Sequence, residues 1–365
     1  MCHLIYTDTF YMKRKWIRWV SWILLTPIIL FVILMVLLYV PPVQNLLRRE
    51  VTAYASKATG MQIQVERIDL RFPLNLLVRG VEVIQQPDTL LSLESLNVRV
   101  QAWPLIKGKV EVDEVTLSRV AVNSADLMEG MKIKGVLGRF FLQSHGVDLS
   151  NELAVINQVE LSDTHVQLLM NDTTTTPKDT TASAPINWKV ALHQLKLKNV
   201  SFSMQLPADS MRMTAHIGEA AINNAQADLK NQYYDLKKFL LSGTSVSYDT
   251  GTAQPAEGFD ASHIAVRDIR IALDSLLYKG RDMNAVIREF TMNERSGLSV
   301  TSLTGRAYSN DSVICVPGLK LNTPHSEIDL SAHTYWELVN IPTTGRLSAR
   351  LNAYIGKEDV MLFAG

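Results

Sequence analysis

The stretch QIQVERIDLRFPLNLLVRGVEV, residues 62–83, alternates apolar and polar side chains. Ile63 and Val65 alternate with Gln62, Gln64 and Glu66. The parity then changes at Glu66-Arg67, and Ile68, Leu70 and Phe72 take over against Asp69 and Arg71. Successive side chains of a strand point to opposite faces, so this pattern predicts a sheet with one apolar and one polar face. The parity break predicts a turn or bulge that bends it. The same period of two returns in Leu96, Val98 and Val100, in Val110 and Val112, in Val115 and Leu117, and in Val120 and Val122. It returns again in Val200, Phe202 and Met204, and onward to Ile328 and Leu330. Gly80, Pro87-Asp88, Gly108, Pro207 and Gly318 punctuate the runs as turn residues do. Residues 124–145 are the least strand-like part and are expected to form a short helix or loop.

Two segments depart from this pattern. Residues 19–40, WVSWILLTPIILFVILMVLLYV, carry no charge. As a helix they would span about 33 Å, enough for a bilayer's hydrocarbon core. Trp19 and Trp22 at one end and Tyr39 at the other suit an aromatic belt, and Pro27 is tolerable within a membrane helix. Lys13, Arg14, Lys15 and Arg18 precede the segment, which places residues 1–18 in the cytoplasm and everything after Pro42 outside it. A cleaved signal peptide would have a shorter apolar core and a small-residue cleavage site, and neither is present. Pro41-Pro42 then ends the membrane segment. An amphipathic helix is expected over 43–59, with Leu47, Val51, Tyr54, Ala55 and Ala58 on one face and Gly60 as its cap. It is expected to plug the end of the sheet. The other exception is 171–185, NDTTTTPKDTTASAP, a polar Thr-rich run expected to be a disordered insertion in the strand series.

Very little helix is available to cover so many amphipathic strands. Three arrangements meet that difficulty: a sandwich, a closed solenoid, or an open trough whose inside meets something apolar.

Composition narrows the function classes. The 36 basic and 36 acidic residues balance, so the electrostatic footprint of a nucleic-acid binder is missing. The two cysteines, Cys2 and Cys315, would lie on opposite sides of the membrane and imply no disulfide. The eight histidines show no metal-ligand spacing, and no nucleophile elbow, P-loop or dinucleotide fingerprint occurs. Asp113, Glu114, Asp148 and Glu152 read as solvated charge at turns or on outward strand positions. The sequence therefore predicts no enzyme, no metal and no cofactor.

The ordered series from the apolar segment through ASKATGMQIQVERIDLRF, LLVRGVEV and LLSLESLNVRVQAWPLIKGKVEVDEVTLSRVAV resembles the start of the AsmA-like family, its TamB-type members most closely. The resemblance is clearest over residues 17–122. It implies an inner-membrane-anchored periplasmic protein with a long curved antiparallel β-sheet trough over residues 61–365, whose apolar groove carries phospholipids towards the outer membrane. It also implies an alternative, a chaperone or scaffold for outer-membrane protein assembly with an Omp85/TamA-type barrel partner. Such proteins are usually far longer, so the chain is expected to be an N-terminal portion or a shortened member. The expected groove lining is Ile68, Leu70, Phe72, Leu96, Val98, Val100, Val110, Val112, Val115, Leu117, Val200, Phe202 and Met204.

Overall fold

The computed structural model describes Val36 and residues 39–72, 74–101, 103–104, 111–125, 127, 130–148, 151–171, 187–340 and 345–363. Helix α1 (Pro41–Thr59) starts directly on the two prolines, which need no backbone N–H in a first turn. Gly60, at φ 70°, ends it by donating its N–H to the Ser56 carbonyl. Sixteen strands follow and form one long, open, curved mixed sheet.

The strands are β1 (Gln62–Arg71), β2 (Asn75–Gln85), β3 (Asp88–Val100), β4 (Val112–Asn123), β5 (Met131–Asp148), β6 (Leu153–Met170), β7 (Lys189–Leu206) and β8 (Met211–Asp228). They continue with β9 (Tyr233–Asp249), β10 (His263–Lys279), β11 (Asp282–Glu294), β12 (Ser299–Val300), β13 (Ser302–Ser309), β14 (Val313–Asn322), β15 (Glu327–Tyr335) and β16 (Leu347–Tyr354). Each strand pairs with its neighbour in sequence, except that β12 lies off the path and β11 pairs on to β13.

The sheet is not wholly antiparallel as expected: β6 and β7 run parallel, Leu153 opposite Lys189 through Leu169 opposite Gln205. Residues between them therefore join opposite ends of two neighbouring strands, where an antiparallel pair needs only a tight turn. The insertion expected at 171–185 lies, apart from Asn171, outside the described residues. The expectation of a helix or loop over 124–145 also fails for most of its length. Residues 131–148 form an 18-residue strand that pairs with β6 from end to end and with β4 between Lys134 and Gln143. Gly135 and Gly138 hide its alternation, because a missing side chain leaves the period unreadable in sequence without hindering pairing.

Helix α1 lies along the outer edge of β1. Gln44, Arg48, Thr52 and Ser56 recur every four residues and form the stripe turned to the sheet. Gln44 Nε2 donates to the Leu70 carbonyl at 3.0 Å. Arg48 Nη1 donates to the Val65 and Glu66 carbonyls at 3.2 and 3.0 Å, and Ser56 Oγ accepts from the Ile63 N–H at 3.1 Å. An edge strand has unpaired backbone groups to satisfy, and polar side chains meet that need where apolar ones cannot. Leu47, Val51 and Tyr54 are left 42, 47 and 77 % exposed.

At the far end, a short helix α2 (Trp336–Asn340) leads out of β15, and α3 (Lys357–Met361) folds back after β16. The Asp359 carboxylate accepts from the hydroxyls of Thr323 and Ser326, which ties α3 to the β14–β15 turn. The same contacts hold its carboxyl below the ordinary range. The Phe259 and Phe363 rings meet at 5.4 Å.

Candidate functional site: an apolar face divided by a crease

The strand registers place apolar residues of successive strands opposite one another, so that they form rows running across the sheet. One row is Ile68, Val78, Leu96, Leu117, Phe140 and Leu161, continuing with Leu197, Ala220, Leu241, Ile271 and Phe290, from β1 through β11. Two residues along each strand, three along β11, lies a second, from Leu70 through Leu76, Val98, Val115, Leu142, Val159, Leu195, Ile222 and Phe239. It goes on through Leu273, Ile287, Gly305, Leu319 and Leu330 to Leu351 on β16. This second row crosses the whole path of the sheet without meeting a polar side chain. One residue further on, the opposite face carries Asn75, Arg99, Glu114, Gln143, Gln158, Gln194, Asn223 and Lys238 in one line. Arg99 and Glu114 there form an ion pair at 3.1 Å.

A transverse crease interrupts β1 to β10 at one level. Glu66, Gly80, Glu94, Arg119, Gly138, Asp163, Asn199 and Gly218 face one another in sequence across β1 to β8, yet none of these facing pairs is regularly bridged, although the pairing resumes in the same register on both sides. Gly243 and Asp268 carry the line into β9 and β10. Gly80, Arg119, Asp163, Asn199, Gly243 and Asp268 have φ between 47° and 59°, the left-handed region. The crease side chains bond along it: Asn199 Nδ2 donates to Asp163 Oδ1 at 2.8 Å, Asn293 Nδ2 to Asp268 Oδ2 at 3.2 Å, and Arg119 to Glu94.

In β1 to β4 the apolar parity changes at this level. Val65, Val81, Leu93 and Val120 lie on one side and Ile68, Val78, Leu96 and Leu117 on the other. The crease shifts the alternation by one position, the offset that separates the two apolar blocks. Both blocks therefore come to the same face, which regular strands would not allow. The parity break at Glu66-Arg67 is thus one end of a feature that runs across the sheet. It is not a bulge in β1, whose register with β2 is unshifted.

The residues expected to line a groove are distributed as follows. Ile68, Leu96 and Leu117 share the first row, Leu70, Val98 and Val115 the second, and Val100 stands opposite Val112. Val200, Phe202 and Met204 lie in three successive rows on the other side of the crease. Phe72 lies beyond the end of β1 and is 84 % exposed. Val110 lies outside the described residues, as do Trp19, Trp22 and Pro27. Among the described residues no helix is long and apolar enough to cross a membrane, and the predicted span lies almost wholly outside them. Sequence reasoning missed the rows contributed by β5, β6, β9 and β11. Their signal was present in Phe140 and Leu142, Val159 and Leu161, Phe239 and Leu241, and Ile287 and Phe290, two apart in β5, β6 and β9.

The apolar face has no second layer upon it among the described residues. Apart from Ile68, at 8 % exposure, the described strand residues of the expected lining are only half-buried, and no large side chain in the described chain is under 2 % exposed. A sandwich would bury the middle of its inner faces completely, so that arrangement is ruled out. The first and last strands of the path do not pair, so the sheet is not closed.

Two carboxylates with lowered pKa, Asp260 and Glu294, lie at one end of β10 and β11 and outside the apolar rows. Asp260 is held down to about 2 by the Ala256 N–H, His263 and the Ser262 N–H. Burial of Glu294 opposes its ionisation, but hydrogen bonds from Ser296, Ala265 and Arg295 outweigh it and lower its pKa. Both fix loops at one end of β10 and β11. Among the described residues no group of histidines, cysteines and carboxylates is placed to hold a metal ion. Comparison of the chain with protein-family models finds no match, and comparison with curated proteins finds none either.

Proposed function

We propose that this protein is a membrane-anchored, extracytoplasmic trough that carries phospholipids between the inner and outer membranes, their acyl chains against the apolar face and their head groups in water. The observation that carries this reading is the row from Leu70 to Leu351, continuous from the first strand of the path to the last and uncovered by a second layer. Exposing one methylene to water costs about 0.8 kcal/mol, so a sixteen-carbon chain leaving a bilayer would cost about 12 kcal/mol. A row of half-buried aliphatic side chains offsets that cost at every step, and a continuous one leaves no step at which the chain must be fully wetted. The resemblance of residues 17–122 to the AsmA-like family supports the same reading, and residues 19–40 supply the anchor.

A second reading has one observation of its own. Strand β16 is exposed at every residue from Leu347 to Tyr354, and such an edge could pair with a strand of an unfolded outer-membrane protein or of an Omp85/TamA-type barrel.

One experiment separates the two. A photo-crosslinking amino acid is placed at Val98 or Leu195, in the apolar rows, and at Gln143 on the polar face as control, and adducts are identified by mass spectrometry together with co-purified lipid. Phospholipid adducts from Val98 and Leu195 but not from Gln143 are expected. Absence of both adducts and co-purified phospholipid would defeat the transport reading. Adducts to unfolded barrel segments from a probe at Arg350 would favour the second.

A further inference from the structure

We infer that helix α1 lies flat in the surface of the lipid bilayer, with Leu47, Val51 and Tyr54 in the boundary between head groups and acyl chains. The inference rests on the proposed anchor at residues 19–40. Four observations carry it beyond that anchor.

The polar stripe of Gln44, Arg48 and Ser56 is engaged with the β1 backbone, which fixes the rotation of the helix about its axis. Leu47, Val51 and Tyr54, at helical spacing i, i+4, i+7, then point elsewhere and remain 42, 47 and 77 % exposed. A water-soluble helix would turn such a stripe inward and leave its arginine and glutamine outside; this one does the reverse. The charge-free segment ends at Val40 and α1 begins at Pro41, with no spacer between them. If α1 stood upright, Tyr54 would sit about 21 Å from Val40 along the axis, well clear of the bilayer. Val40, however, is extended, at φ −80° and ψ 129°, so α1 does not simply prolong a helix arriving from the membrane. A bend at that point allows the stripe to meet the surface along its length. Finally, Lys57, three residues beyond Tyr54, is exposed on the flank of the stripe, where a cation meets anionic head groups.

The pose has a consequence for the sheet. Because α1 runs antiparallel along β1, laying it flat also lays β1 parallel to the bilayer. The path from β1 to β16 then extends about 67 Å at about 4.8 Å per strand. The apolar rows start at the strand nearest the lipid.

The test uses the full chain with Cys2→Ser and Cys315→Ser, reconstituted into phosphatidylcholine–phosphatidylglycerol vesicles. A single NBD-labelled cysteine replaces Leu47, Val51, Tyr54 or, as control, Asn45. Asn45 is exposed and nearer the anchor than Tyr54, but on the opposite side of the helix. Quenching by doxyl-labelled lipid is expected to be at least threefold stronger at Leu47, Val51 and Tyr54 than at Asn45, with blue-shifted emission. Quenching at Tyr54 equal to that at Asn45, in protein that resists alkaline extraction, would overturn the pose while leaving the anchor in place. Release of the protein by alkali would overturn both. Self-quenching at Tyr54 that rises with protein density, without doxyl quenching, would place a second copy on the stripe and overturn the inference.

Discussion

Gly218 and Gly243 face each other across β8 and β9 at the crease, and each is glycine for a different reason. Gly243 has φ +59°, and a Cβ added to it would meet nothing nearer than the Gly218 Cα at 3.7 Å. Its difficulty is conformational alone: a left-handed L-residue costs about 1–2 kcal/mol, less for asparagine, more for a β-branched side chain. Gly218 has an ordinary φ, but its Cβ would lie 2.8 Å from the Gly243 carbonyl oxygen and 3.1 Å from that of Ser242. Relieving that contact requires two backbones to part, on the order of 1–3 kcal/mol. Gly243→Asn is therefore expected to be the mildest change, Gly243→Ala intermediate and Gly243→Val the most damaging, with Gly218→Ala also costly. Hydrogen exchange of the full chain, followed by mass spectrometry over residues 211–249, reads this directly. A loss of about 1–2 kcal/mol raises the open population roughly 5- to 30-fold. The double variant Gly218→Ala, Gly243→Ala should depart from additivity, because the two sites touch. If Gly243→Val exchanged no faster than Gly243→Asn, the left-handed backbone would not be what shapes the crease.

Two further outcomes follow from local contacts. Ser56→Ala removes the acceptor of the Ile63 N–H, and Arg48→Ala the donor to the Val65 and Glu66 carbonyls; each should cost roughly 1 kcal/mol and speed exchange in β1 while leaving β8 unchanged, and unchanged β1 exchange would refute the edge-covering role of α1. Asp260 has a depressed folded pKa, so its contribution to stability is complete above the unfolded value near 3.9 and is lost as pH falls through about 2; a carboxyl carbon titration by NMR should show that low midpoint, local exchange of residues 250–263 should rise across the same window, and Asp260→Asn should abolish this dependence. A midpoint near 3.9 would refute the assignment.

The alternation of single side chains was enough to predict a mainly β chain with few helices, because a strand's two faces are written two residues apart in the sequence itself. Gly60 as the cap of α1 was legible for a similarly local reason: a helix end needs a left-handed residue, and glycine supplies it at least cost. The parity change at Glu66-Arg67 was visible too, but not its meaning. One strand cannot reveal that Gly80, Arg119, Asp163 and Asn199 stand in line with it, since register is set by pairing between strands that are distant along the chain. The rotation of α1 was not legible for a related reason. Its apolar stripe suggested burial, but the available surface was a strand edge, and an edge offers carbonyls and N–H groups that only Gln44, Arg48 and Ser56 can satisfy. The direction of β7 was likewise decided by the tertiary structure, because alternation reads the same forwards and backwards. The sequence by itself thus determined which side chains are apolar and how they alternate. Pairing alone determined that those side chains join into rows crossing the whole sheet, and that the sheet stays open with its apolar face uncovered.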